Sequence, residues 1–195
     1  MTKTLEVAAG IDIEMIAPSH GVIWRSHVAD IVKCYSEWAV CKPAPKVLVI
    51  YDSMWDATGQ MARAIHAGAS VAGVQAELIF IRTSNITKIA TEVMDAACVA
   101  FGSSTLNATL LPQAGAALLY LHGLRPVDKT AFAFGSYGWG MGGPSSVNEW
   151  LEKMKWEIIR EPIRTKYNPD EETLEICFQA GRELAQKALE ITGNG

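Results

Sequence analysis

The sequence contains no C-x-x-C pair; its four cysteines, Cys34, Cys41, Cys98 and Cys177, are scattered. That spacing excludes a zinc ribbon and a dithiol motif and leaves reduced, partly buried thiols. No apolar run reaches the ~20 residues of a membrane span, and no leader pattern opens the chain, so a cytoplasmic protein without membrane contact is expected. Basic charge is in short supply. A net charge of −4 argues against a general nucleic-acid binder. Internal repeats and low-complexity tracts are absent. The loop after the first apolar run, "DSMWDAT", has neither G-x-x-x-x-G-K-[ST] nor G-x-G-x-x-G, which removes a P-loop or a Rossmann pyrophosphate site there. What remains is ordinary globular composition, 49% apolar and 19% charged over 195 residues, enough for one sizeable core.

Two stretches differ in character. Residues 1–42 hold the apolar segment "IDIEMIAPSHGVIWR" and one helix. In that helix Val28, Ile31, Val32 and Tyr35 share a face after a Ser26 cap. The prolines of "KPAPK" (42–46) break the chain and set a boundary, with 43–195 as the main domain. There, nearly continuous apolar runs at 46–51, 76–81, 97–102 and 131–135, with a weaker fifth at 156–163, suit strands buried on both faces. Helical patterns separate them, including a short one over 85–94, one starting after Pro144 and a long C-terminal one through Leu174, Cys177, Gly181 and Leu184. The alternation predicts an α/β three-layer sandwich with a five-stranded parallel sheet of order 2-1-3-4-5.

In such a sheet ligands bind beyond the carboxyl ends of the strands, at the switch point between strands 1 and 3. The three loops there are unusual. After strand 1, "DSMWDAT" leads into a helix near Thr58 or Gly59 with no lysine or arginine before Arg63. Its hydroxyls and first-turn amides form a nest suited to one phosphate monoester; the alternative is that Ser53 and Thr58 cap the helix. After strand 3, "GSSTLNATLLP" offers small residues, hydroxyls and Asn107, or is a plain loop. After strand 4, "GSYGWGMGG" sets five glycines around Tyr137 and Trp139. The aromatics either stack on a planar ligand or fold back onto the core. Together the loops describe a flat heteroaromatic ring on a polyol phosphate, which is flavin mononucleotide (FMN). Asp52 and Asp56 read as loop-turning or capping residues and not as general bases.

The stretches "APSHGVIWR" (17–25), "YDSMWDAT" (51–58), "GSSTLN" (102–107) and "FGSYGWG" (134–140) resemble, in order and spacing, the flavodoxin-like domain of the flavodiiron proteins. The resemblance covers nearly the whole chain. It implies FMN, with phosphate at Ser53, Met54, Asp56, Ala57 and Thr58 and Trp55 beside it. Ser103, Ser104, Thr105, Leu106 and Asn107 would form one wall at the ring and ribityl chain. Ser136, Tyr137, Gly138, Trp139 and Gly140 would form the other. It also implies a rubredoxin-like or similar donor, a diiron domain or chain as acceptor of electrons for oxygen or nitric oxide reduction, and a head-to-tail homodimer.

One departure matters. The family's diiron domain needs clustered histidines and carboxylates, typically with an H-x-E-x-D stretch, and this sequence has four histidines and no such stretch. His20 matches the last iron-ligand histidine without its partners, and one imidazole cannot hold two irons. No metal is therefore expected. Residues 1–42 read as the end of a diiron domain, and the chain as an electron-transfer module, not a complete reductase. Two alternatives stay open: an FMN-dependent quinone reductase of the same fold, and a flavin-free docking or signalling module. The second wants an aspartate ending strand 3, where Phe101-Gly102-Ser103 stands.

Overall fold

The computed structural model describes residues 2–193. The chain divides between Lys42 and Pro43 into two compact units. The first holds α1 (Thr2–Ala8) and α2 (Val28–Ala39). One helix was expected here; α1 is only seven residues long, and all its described side chains are exposed or half-buried, so its pattern is weak. Ser26 does not cap α2. His27 takes that place with left-handed backbone (φ 58°) and no side-chain cap, its ring bonded to Asp30 at 3.0 Å. Between the helices, Ile16 and Trp24 exchange backbone bonds of 3.0 and 2.9 Å and close a loop that leaves His20 exposed.

The second unit is a doubly wound sheet. In chain order it comprises β1 (Ala44–Asp52), α3 (Ala57–Ala69), β2 (Gln75–Phe80), a 3-10 turn (Ile81–Thr83), α4 (Ile86–Asp95) and β3 (Ala96–Ser103). A small hairpin follows, β4 (Thr105–Leu106) and β5 (Thr109–Leu110), then α5 (Pro112–Leu124), β6 (Thr130–Tyr137) and α6 (Gly142–Lys153). β7 (Glu157–Ile158), β8 (Ile163–Lys166) and α7 (Glu171–Thr192) complete it. The sheet is parallel throughout, in the order β2-β1-β3-β6, with β7 and β8 both on the outer edge of β6. This is the expected 2-1-3-4-5 order with its fifth strand broken in two. The break falls at Arg160–Pro162. Proline has no N–H for a ladder and is tolerated at an edge.

Alternation of side chains fills two layers. Leu48, Ile50, Val99, Phe101 and Ala133 face α4, α5 and α6; Val47, Val49, Ala100, Phe132 and Phe134 face α3 and α7. On the second side burial pushes the Cys98 and Cys177 thiols up to about 12, so both are packing groups and not nucleophiles. β1 begins earlier than its apolar run and takes in Pro45, with a register shift between Ala44 and Val47 where proline cannot donate. α6 starts before Pro144, which occupies its first turn, where a missing N–H costs nothing.

Lys46 enters this core at the start of β1. Its ammonium is nearly fully buried and bonds Glu92 at 2.5 Å and Asp95 at 3.0 Å on α4. Burial pulls the lysine down, but the two carboxylates outweigh it and hold it above its ordinary 10.5. The Lys46 bond holds Glu92 below its ordinary 4.5. The glutamate contribution is therefore present above pH 4.5 and disappears as pH falls through the lowered value; the lysine contribution disappears only as pH rises past its raised one. Glu92→Gln is expected to cost about 1–2 kcal/mol at pH 7. Its melting temperature should also fall less steeply than the parent's between about pH 5 and 3, as thermal melts across that window would show.

Candidate cofactor site

The site is built where β1, β3 and β6 end. Thr58, in the first turn of α3, is fully buried. Its hydroxyl lies 2.9 Å from Ser104 Oγ and 2.9 Å from Ser136 Oγ, and accepts from the Ser136 amide at 3.2 Å. One side chain thus joins the loops that leave all three strands. This overturns the simple capping alternative, since the N-cap position belongs to Asp56. Ser53 is also buried, and its Oγ has no partner. A buried hydroxyl without a partner is costly, and here it lies in the loop that opens α3. The first intrahelical bond of α3 runs from Gln60 N to Asp56 O (2.9 Å), so the amides of Ala57, Thr58 and Gly59 come before the ladder begins.

Beside this nest is a cavity of about 390 Å³. Met54, Trp55 and Ala57 line it from the first loop, Ser104 and Thr105 from the second, and Ser136, Tyr137, Gly138 and Trp139 from the third. Trp139 is 96% exposed and Trp55 87%, so neither indole has folded back onto the core. Two large aromatic faces left in water at the mouth of one cavity are a surface that a planar ligand would cover.

The remaining predicted residues stand elsewhere. Ser103 faces the α5 layer, where its Oγ donates to Ser104 O (2.8 Å) and accepts from Leu111 N (2.9 Å). Leu106 packs into the same layer. Asn107 sits exposed at the hairpin tip with Ala108, both at positive φ (49° and 59°), as a two-residue turn of that kind requires. Gly140 opens to solvent, and it is Gly142 that meets a wall, a Cβ there falling 1.7 Å from Ala108 O. Neither aspartate caps. Asp52 is fully buried with Oδ1 2.6 Å from Arg82 Nε, and Asp56 pairs with Arg63.

Two lining residues were missed, Tyr167 and Asn168. Tyr167 N donates to Tyr137 O (2.7 Å), and its ring meets Trp139 edge-on with centroids 6.4 Å apart. They follow β8, so they too stand at a carboxyl end. Ending the fifth strand at 163 hid them; the apolar Ile163 after Pro162 was the available signal.

A parallel doubly wound sheet with a hydroxyl-and-amide nest and an aromatic-walled cavity at its switch point defines a nucleotide-binding α/β protein of the flavodoxin type. The chain belongs to the flavodoxin family, whose model matches residues 49–181. A nitric oxide reductase from Moorella thermoacetica is 37% identical over 190 residues, 96% of this chain and 48% of that one. Among solved structures, the rubredoxin oxygen:oxidoreductase from Desulfovibrio gigas superposes with a TM-score of 0.90 at 34% identity, over 97% of this chain and 48% of that one. The flavodiiron protein from Giardia intestinalis gives 0.89 at 36% identity, over 98% and 48%. The homologues are thus flavodiiron proteins, and the chain spans about half the length of the relatives it matches. FMN is the cofactor of the family.

The residues present fit FMN. The unpartnered Ser53 hydroxyl and the leading amides of α3 suit a phosphate oxygen, and the exposed indoles suit the ring. The neighbouring charges, Asp52 with Arg82 and Asp56 with Arg63, are already paired, so neutral donors and the helix dipole would hold the phosphate. Among the described residues no helix is long and apolar enough to cross a membrane.

Proposed function

We propose that the chain is an electron-transfer flavoprotein module. It takes electrons from a rubredoxin-like donor and delivers them, through FMN at the carboxyl edge of the sheet, to a diiron centre on a partner domain or chain. Bound FMN supplies one- and two-electron chemistry. The protein's share is placement. The Ser53 hydroxyl and the amides of Ala57, Thr58 and Gly59 hold the phosphate, while the Thr58 hydroxyl ties the surrounding loops together. Ser104 and Thr105 form one wall, and Ser136, Tyr137, Gly138 and Trp139 the other. The aromatic walls exclude water from the ring and disfavour added negative charge on it. No side-chain acid or nucleophile is needed; both nearby aspartates are held by arginines.

The observation that carries this reading is the pairing of a buried, unpartnered Ser53 hydroxyl with two exposed tryptophans at one cavity. The names of the relatives, a nitric oxide reductase and an oxygen oxidoreductase, support the acceptor side. Residues 1–42 fit the end of an acceptor domain, for which His20 is the mark. Trp139→Ala should weaken FMN binding about 5–30-fold, or ~1–2 kcal/mol, and shift the flavin potentials. A fluorescence-quenching titration reads the affinity. An unchanged Kd would mean that the indole does not wall the cofactor.

A further inference from the structure

Asp56 stands where an aspartate ordinarily caps a helix, and it does not cap. An N-cap aspartate normally has extended backbone and accepts from the second or third amide of the first turn, the donors that an anionic ligand would use. Asp56 instead has left-handed backbone, φ 65° and ψ −2°. Its carboxylate is taken by Arg63, with Nη1 donating to Oδ1 at 3.1 Å and Nη2 to Oδ2 at 2.6 Å. Room for this arrangement comes from Gly59, where a Cβ would fall 2.1 Å from Asp56 Oδ1. The pair is about half exposed on both sides, and pairs of that kind contribute little to stability. Its place beside the unpartnered Ser53 hydroxyl and the leading amides of α3 suggests another use.

We infer that Arg63 is a positioning residue: by gripping the Asp56 carboxylate it keeps the first-turn amides of α3 open for the phosphate of the cofactor. This rests on the FMN site proposed above. The grip does two things. It prevents Asp56 from relaxing into extended backbone and capping its own helix. It also neutralises a carboxylate that would otherwise repel a phosphate dianion. The bidentate bond to Arg63 lowers the Asp56 carboxyl and raises the guanidinium, so both partners are charged at neutral pH. Gly59 belongs to the same device, because a side chain there would force the carboxylate elsewhere.

The test titrates the full chain with FMN and, separately, with riboflavin, which lacks the phosphate. Arg63→Gln is compared with the double variant Asp56→Gly/Arg63→Gln, glycine being at ease in the left-handed region. Arg63→Gln should raise the Kd for FMN about tenfold, or ~1.4 kcal/mol, and change that for riboflavin less than about twofold. The double variant should recover FMN affinity to within about threefold of the parent, because no carboxylate remains to cap or repel. Thermal melts accompany the titrations, and Arg63→Gln should melt no lower than the parent, since a self-capped helix replaces a surface pair. Equal loss of both ligands with a lowered melt would make Arg63 merely structural and overturn the inference. Loss of FMN without recovery in the double variant would assign Arg63 to the phosphate itself, and also overturn it. A parent that prefers FMN alongside an unaffected Arg63→Gln overturns the inference alone. A parent that binds the two flavins equally removes the phosphate site as well.

Discussion

Replacing Gly135 by alanine is expected to lower the melting temperature by about 6–12 °C and to weaken FMN binding at least tenfold. Gly135 lies in β6 with φ +157°, and a Cβ built there falls 1.9 Å from Ser103 O. The overlap is with backbone, so no side chain can swing aside. Either β6 or the end of β3 must move. Overpacking of this kind, added to a backbone angle that alanine disfavours, costs about 3 kcal/mol. The displaced segment would be the one that carries Ser104 and Ser136, whose hydroxyls meet at Thr58. The loss of stability and the loss of binding therefore have one cause. A melt within about 2 °C of the parent would show that the two strand ends yield far more easily than their packing indicates.

The second large effect separates two hydroxyls that look alike in sequence. Ser53→Ala should leave the cofactor-free protein as stable as the parent or slightly more so, because the Oγ it removes has no partner there. The same change should weaken FMN about tenfold, or ~1.4 kcal/mol, and leave riboflavin nearly unaffected. Thr58→Val keeps the shape but strands the buried Ser136 amide and removes the link among three loops. It should destabilise the free protein by about 1–3 kcal/mol and weaken both flavins, FMN more. Chemical denaturation and paired flavin titrations measure both quantities. If Ser53→Ala weakened FMN and riboflavin alike, the phosphate would have to be placed elsewhere.

The strands were the most legible part of the fold. The middles of β1, β3 and β6 are buried on both faces, and such strands read as nearly continuous apolar runs, a pattern that few other elements produce. The edge was harder to see. β7 and β8 are four residues or fewer, mix polar with apolar positions and are interrupted at Pro162, so no run of sequence marks them as one strand. Tyr167 and Asn168 were lost with that edge. Helix starts also misled where the capping residue was chosen by type. Ser26 and the hydroxyls of "DSMWDAT" have the chemistry of caps, yet His27 and Asp56 hold those positions with left-handed backbone and no side-chain cap.

Of the sixteen residues expected at the cofactor, nine line the cavity, and Ser53 and Thr58 form the nest beside it. The other five divide by geometry. Ser103 and Leu106 point to the opposite layer, Asn107 and Gly140 point to water, and Asp56 turns to Arg63. Residues adjacent in a strand or a tight hairpin face opposite ways. A contiguous motif therefore names more side chains than one surface can receive.

Apolar rhythm and loop composition alone determined the class of fold, the strand order and the edge of the sheet where a ligand belongs. These follow from local periodicity and from the handedness of crossovers, which act through neighbouring residues. Tertiary structure alone decided which hydroxyls are spent on one another and which is left for a ligand. It also decided which glycines are needed for close approach, and that Asp56 faces Arg63 and not its own helix. The hydroxyl contacts join groups 46 and 78 positions apart, Thr58 with Ser104 and with Ser136. No local pattern encodes such a meeting, because it exists only once the sheet has closed.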